Sequence, residues 1–169
     1  MADDNAILVQ LLRHMSWAND QMLAPCRELT DEQLTTETAG TYGPLSQTLV
    51  HLARAQGGYL TTLTGWRPDA EHRLELGAPF PGVHRIADHL RFTGGRLIEM
   101  ARDAAADRVL EGIWHGAPFR YPEWVILLQA PYHATEHRQQ IAIALTILGI
   151  EPPEPGLVAY WESVPADPN

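Results

Sequence analysis

Apolar residues recur at three- and four-residue spacing in four stretches of the chain, and each stretch reads as an amphipathic helix. In the first, from Asp4 to about Arg27, the residues Ile7, Leu8, Leu11, Leu12, Met15, Ala18, Met22 and Leu23 share a face, and Asp3 or Asp4 is placed to cap its start. Pro25 weakens the last turn, after which LTDEQL offers Thr30 or Asp31 as the cap of one short helical turn. The second stripe, Leu45, Leu49, Leu52, Tyr59, Leu60 and Leu63, predicts a helix over 44–64 that opens at Pro44. A third, from about Val83 to Ala106, is carried by Ile86, Ala87, Leu90, Leu97, Ile98 and Ala101. Gly94 and Gly95 in its middle cost roughly 2 kcal/mol relative to alanine, which predicts a close helix contact or a kink there. The fourth begins at Pro122 and aligns Ile126, Ala130, His133, His137, Ile141, Ala144 and Leu148 before Gly149 stops it, with Pro131 predicting a kink ahead of His133.

Between these stretches the pattern breaks. GWRPDAEHRLELGAPFPG is rich in Gly and Pro, has no period, and is long for a compact domain, which marks residues 65–82 as an ordered loop and a candidate lid. VLEGIWHGAPFRYP is turn-rich and reads as a short hairpin or a loop. The tail EPPEPGLVAYWESVPADPN is Pro-rich, with Tyr160 and Trp161 as expected packing anchors. Four long helices with one loop-rich crossover predict an all-α fold, an antiparallel four-helix bundle, over a single domain of residues 1–169.

Charge narrows the partners. Twelve Lys and Arg against 21 Asp and Glu give a net charge of −9, the opposite of the basic surface that releases counterions from nucleic acid. Cys26 is the single cysteine, so no intramolecular disulfide can form and a reducing cytoplasm is the default expectation. The first residues are acidic rather than basic and their apolar positions are periodic, unlike a signal peptide. No window reaches the ~20 apolar residues of a membrane span. The expectation is therefore a cytoplasmic protein with no nucleic-acid and no membrane partner.

The candidate chemistry lies in PYHATEHRQQ. Residues four apart on a helix stack on one face with Cβ atoms roughly 6 Å apart, so His133 and His137 can reach one metal ion. Such a pair alone is more often solvated or hydrogen-bonded than metal-binding. Here both histidines fall on the apolar stripe, where burying unpaired imidazoles is costly and a metal would partner both at once. His51, in TLVHLARA on the second helix with small neighbours Thr48 and Ala55, is the candidate third ligand. Three neutral imidazoles would leave the charge of a divalent ion undiminished and keep positions open for water or substrate. In the metalloprotease pattern H-E-x-x-H a glutamate follows the first histidine, whereas Ala134 stands there in this chain, so the protease reading is rejected. Glu136 points off the ligand stripe and is given no base role. No catalytic or cofactor-binding residue beyond the metal triad is assigned.

The remaining histidines are expected in surface or hydrogen-bonding roles: His14 off the main stripe, His72 and His115 in loops, His84 and His89 near the start of the third helix. Cys26 reads as an inert buried thiol. Trp17, Trp66, Trp114, Trp124 and Trp161 read as packing, with Trp66 or Trp114 a candidate for the mouth of a pocket. Arg138 is expected at the surface, since a lone arginine is commonly solvated, the alternative being the orientation of an anionic substrate.

Three stretches together resemble the DinB-like proteins: WAND at Trp17–Asp20, PLSQTLVHLARAQ with His51, and HATEHRQQIAIALTILGIEPP with His133 and His137. The last is the most specific, being of the form H-x-x-x-H-R-x-Q-I followed by a leucine-rich turn and Gly. One departure is Gln139, where the family often has a small residue. The resemblance implies a metal-binding four-helix bundle in which His51, His133 and His137 hold a divalent ion such as zinc or nickel, with water in the remaining positions. It also implies, from some characterised relatives, activation of a low-molecular-weight thiol such as bacillithiol or mycothiol for transfer to an electrophile, and a homodimer.

The resulting expectation is a metal-dependent enzyme acting on a small-molecule substrate, a transferase or hydrolase in which the ion is the Lewis acid and loop 65–82 closes the cavity. The rival reading is a non-catalytic bundle whose ion is structural or regulatory. A third, metal-free reading requires each histidine to find its own hydrogen-bond partner.

Overall fold

The computed structural model describes residues 5–75, 77–114 and 116–164. Its elements are α1 (Ala6–Cys26), α2 (Asp31–Leu34), α3 (Leu45–Thr64), α4 (Val83–Arg102), β1 (Val109–Trp114), β2 (Ala117–Pro122), α5 (Glu123–Ile147) and α6 (Leu157–Ser163). The fold is mostly helical. Its four long helices close a ring in which α1 and α3 each pack against both α4 and α5. The predicted stripes meet inside that ring: Leu12, Met15 and Met22 of α1, Leu49, Leu52 and Leu60 of α3, Ile86 and Leu97 of α4, and Ile126 and Ile141 of α5 are all fully buried. Removing each such side chain from water contributes roughly 1.5–3 kcal/mol, which is what holds helices of modest intrinsic propensity in place.

Local signals set the element ends. At α2, Thr30 is the cap: its Oγ1 accepts from the Gln33 N–H while the Gln33 Oε1 accepts from the Thr30 N–H, a capping box. Asp3 and Asp4 lie outside the described residues. The Asn5 side-chain amide instead donates to the carbonyls of Arg102 and Ala104, fastening the start of α1 to the end of α4. Gly94 is explained by a close helix contact, since a Cβ there would lie 2.5 Å from Ser16 Oγ of α1. Nothing in the structure explains Gly95. α5 continues unbroken through Pro131.

Several expectations need correction. α4 stops at Arg102, four residues early. The turn-rich segment forms an antiparallel hairpin, β1 against β2 with Trp114 opposite Ala117, which adds a small sheet to a fold expected to be all-α. The tail forms α6, where Tyr160 packs against the rings of His14 and Trp17 but Trp161 is 73% exposed and anchors nothing.

The described residues of loop 65–82, 65–75 and 77–82, are held by α4. The Arg85 guanidinium donates to the carbonyls of Ala70, Glu71 and Arg73, and the buried His89 ring bonds the His72 carbonyl at 2.9 Å. None of the described helices is long and apolar enough to cross a membrane.

Candidate metal centre

α3 and α5 lie side by side, and their packing brings His51 to His133 and His137. The Nε2 atoms of His51 and His133 are 3.3 Å apart, and those of His133 and His137 are 3.0 Å apart. One ring nitrogen from each of the three lies within 4.8 Å of the other two. His137 is buried, whereas His51 and His133 are half-buried. Thus the three residues singled out on sequence form one cluster.

Hydrogen bonding around His137 decides where its lone pair points. Gln140, three residues along the same face of α5, places Oε1 2.9 Å from His137 Nδ1. The same oxygen accepts from the Tyr42 backbone N–H at 3.2 Å, which fixes the orientation of the amide. His137 therefore carries its proton on Nδ1, and Nε2 turns a lone pair toward His133. A neutral His133 can have either an N–H or a lone pair at Nε2, so it cannot donate to His137 and also accept from His51. Three rings so placed do not satisfy one another through hydrogen bonds alone. Their spacing does suit a shared ion: with metal–nitrogen bonds of about 2.0–2.1 Å, ligand nitrogens at angles between a right angle and the tetrahedral one are about 2.9–3.4 Å apart.

Electrostatics favour the neutral, ligand-competent rings. Burial, reinforced by repulsion from His137 and the Arg54 guanidinium, pushes His51 down to about 4. Burial, with repulsion from His137 and His51, does the same to His133. Both imidazoles are then uncharged at neutral pH, with lone pairs free to bind a cation.

Aromatic rings frame the cluster. Tyr42 stacks on His51 with centroids 3.8 Å apart and meets His137 edge-on, while Tyr59 lies edge-on to His133. Beside His51 and His133 opens a cavity of about 480 Å³, walled by Arg54 and Tyr59 of α3, by Ile113 and Trp114 of the hairpin, and by Tyr42. This corrects the expected cover of the site and meets the expectation that Trp66 or Trp114 lines a pocket. The cavity is covered by β1 and the segment before α3, whereas loop 65–82 lines a separate cavity of about 290 Å³ with Val50 and Arg85. Trp114 is at the pocket, while Trp66 packs against His89 and Phe92.

Arg138 also departs from expectation. It is only 3% exposed, and its guanidinium donates to Asn19 Oδ1 at 2.8 Å and Thr135 Oγ1 at 2.7 Å. From Asn19 the chain of bonds continues to Gln56 and on to Thr93 and the Leu90 carbonyl, so one buried polar network links α5, α1, α3 and α4. Burial pushes the guanidinium down to about 10, still charged at neutral pH. His14 is buried as well, bonded to the Pro155 carbonyl at 2.8 Å. His84 and Glu136 are exposed, and His115 lies outside the described residues. Buried Cys26 bonds the Met22 carbonyl through Sγ.

Sequence reasoning left out Gln140 and Tyr42. Gln140 had a usable signal, since its spacing from His137 places it on the same helix face. Tyr42 had none, because it reaches His51 from an irregular segment.

A mostly helical protein with a three-histidine cluster compatible with metal binding is the class these features define. The sequence model of the DinB family matches residues 1–166, and the chain belongs to that family. Among solved structures it is similar to a DinB-like protein from Bacillus cereus, at 20% identity and a TM-score of 0.65, over 87% of this chain and 94% of that one. That likeness concerns the fold. No match is found among curated proteins.

Proposed function

We propose that this chain is a metal-dependent enzyme that activates a thiol or a water for transfer to a small electrophile. The observation that carries the reading is a cluster of three imidazoles, with no fourth His, Cys, Asp or Glu ligand beside it among the described residues, at the edge of a cavity of about 480 Å³. A divalent ion such as zinc or nickel, held by His51, His133 and His137, would supply Lewis acidity that lowers the pKa of a thiol or water in an open position.

The protein's own part is orientation. Gln140 holds the His137 tautomer, and Tyr42, stacked on His51, limits the rotation of that ring. Tyr59 and Trp114 give the cavity apolar walls that exclude water around a bound substrate. Burial pushes the Tyr59 hydroxyl above its usual range, against an opposing hydrogen bond with Gln129 and with a smaller push from the Glu136 carboxylate, so it stays protonated beside the cluster. The open side of the cluster favours catalysis over a purely structural ion, which would be enclosed by protein ligands.

The scaffold we read as an antiparallel four-helix bundle forming one domain, working in the cytoplasm. The homodimer is part of the same proposal: Trp124, Leu128 and Tyr132 recur every four residues along α5 and are all exposed, which gives a second copy an apolar surface to cover.

The test is a transfer assay with zinc- or nickel-loaded protein, a panel of low-molecular-weight thiols and 1-chloro-2,4-dinitrobenzene as electrophile. The proposal expects thiol consumption above background with at least one thiol, falling to background in His137→Ala. Equal rates in wild type and variant for every thiol would count against it.

A further inference from the structure

We propose that the cavity beside the three histidines takes a small molecule bearing a carboxylate on an apolar body, and that Arg54 is the residue that recognises the carboxylate. Arg54 follows His51 by three positions on α3, so the two share a face of the helix, and both line the cavity. The residue is half-buried, and among the described residues its guanidinium has no hydrogen-bond partner and no carboxylate within 4.0 Å. Arg91, Arg96, Arg108 and Arg120, in contrast, are each paired with a carboxylate. A half-buried cation facing a cavity is costly unless something fills its donors, and a carboxylate matches the guanidinium fork with two parallel hydrogen bonds.

The other walls define the rest of the ligand. Tyr59 and Trp114, with ring centroids 6.0 Å apart, form an apolar corner, and Ile113 at the hairpin is 71% exposed beside it. An apolar body laid there would cover Ile113 and gain from its burial. The protein as a whole carries a charge of −9, which repels anions at long range. Recognition of a carboxylate therefore falls to a local cation in a low-dielectric recess, where its field is least screened. The cavity under loop 65–82 differs: Arg85 there is spent on three backbone carbonyls, Glu75 adds a negative charge to its wall, and its other arginine, Arg73, is exposed to solvent.

With the carboxylate on Arg54, the far end of the ligand lies toward His51 and His133, and only that last point rests on the metal-enzyme reading. Arg54 would then set substrate specificity by choosing what is held next to the reacting atoms.

The experiment compares 3-phenylpropanoate with its neutral isostere 3-phenylpropanamide, by calorimetric titration of the full chain, both chelator-treated and zinc-loaded. Saturable binding of the carboxylate is expected in both preparations, with the amide at least about tenfold weaker. Arg54→Gln should weaken carboxylate binding at least about tenfold and erase the preference, and Arg54→Lys should restore part of it. Equal binding of acid and amide, unchanged binding in Arg54→Gln, or no saturable binding of either would overturn the proposal. So would carboxylate binding confined to zinc-loaded protein and indifferent to Arg54→Gln, since the anion would then be a ligand of the ion. A wild type that holds no metal would remove the proposed enzyme function, yet the comparison of acid, amide and Arg54 variants would still read out.

Discussion

His51 and His133 are 82 positions apart in the chain, yet their Nε2 atoms stand 3.3 Å from each other across the contact between α3 and α5. Two lone-pair-bearing nitrogens brought this close repel unless a proton or a cation lies between them. A proton can serve one such contact, but His133 faces His137 at 3.0 Å as well. The cluster is thus a place where folding concentrates electron pairs that a divalent ion would relieve.

Gln140 should matter to metal retention without mattering much to the fold. Its Oε1 accepts from His137 Nδ1, so Gln140→Leu removes the partner that selects the tautomer. Loss of such an orienting partner typically lowers metal affinity about 10–100-fold. Competition with a chelator should show that drop in Gln140→Leu and a near-wild-type affinity in Gln140→Glu, with little change in thermal midpoint in the absence of metal. An affinity unchanged in Gln140→Leu would mean that another contact orients the ring.

Much of this was readable in the sequence, for physical reasons that differ by element. The stripes ending in Leu23, Leu63, Ala101 and Leu148 place four helices because burial of a helix face needs a period of 3.6, and the histidines inherit their facing from the stripe they occupy. Arg138 was placed wrongly because a charge on a helix is solvated by default, and only the arrival of Asn19 from another helix makes its burial tolerable. Loop 65–82 was placed at the wrong cavity because a loop without periodicity carries no information about which face it covers. The hairpin that does cover the site, with Ile113 and Trp114, was one of two readings of a turn-rich stretch, and nothing in that stretch said which face it would cover.

The Arg138 network predicts an asymmetry between its two ends. Asn19→Leu leaves the guanidinium charged in the interior with Thr135 Oγ1 as its remaining partner, a change that costs about 3 kcal/mol or more because the group left short of an acceptor is charged. Arg138→Met removes the charge together with its need for partners and leaves only neutral groups unsatisfied, at about 1–3 kcal/mol. Urea denaturation of the metal-free variants should therefore rank Asn19→Leu below Arg138→Met, and the reverse order would show that the network contributes through packing instead.

Cys26 gives a pH dependence with a defined sign. Burial pushes its pKa from the ordinary 9.0 up to about 12, against a small opposing effect of Arg27. A thiol whose folded value exceeds its unfolded one stabilises the fold fully below pH 9.0, and that contribution is lost as pH rises from there toward 12. Iodoacetamide should then fail to label native protein at pH 8.5 and label it fully in urea. Cys26→Ala should flatten the loss of stability on the alkaline side. Rapid labelling of the native chain would contradict a buried, protonated thiol and would reopen Cys26 as a reactive group.

The most direct measurement is the metal content of untagged protein purified without chelator, for wild type and for His51→Ala, His133→Ala and His137→Ala. The account predicts about one divalent ion per wild-type chain and its loss in each variant, with helical content retained. A wild type that carries no ion and takes up none when zinc or nickel is added, or a set of variants that keep theirs, would contradict it.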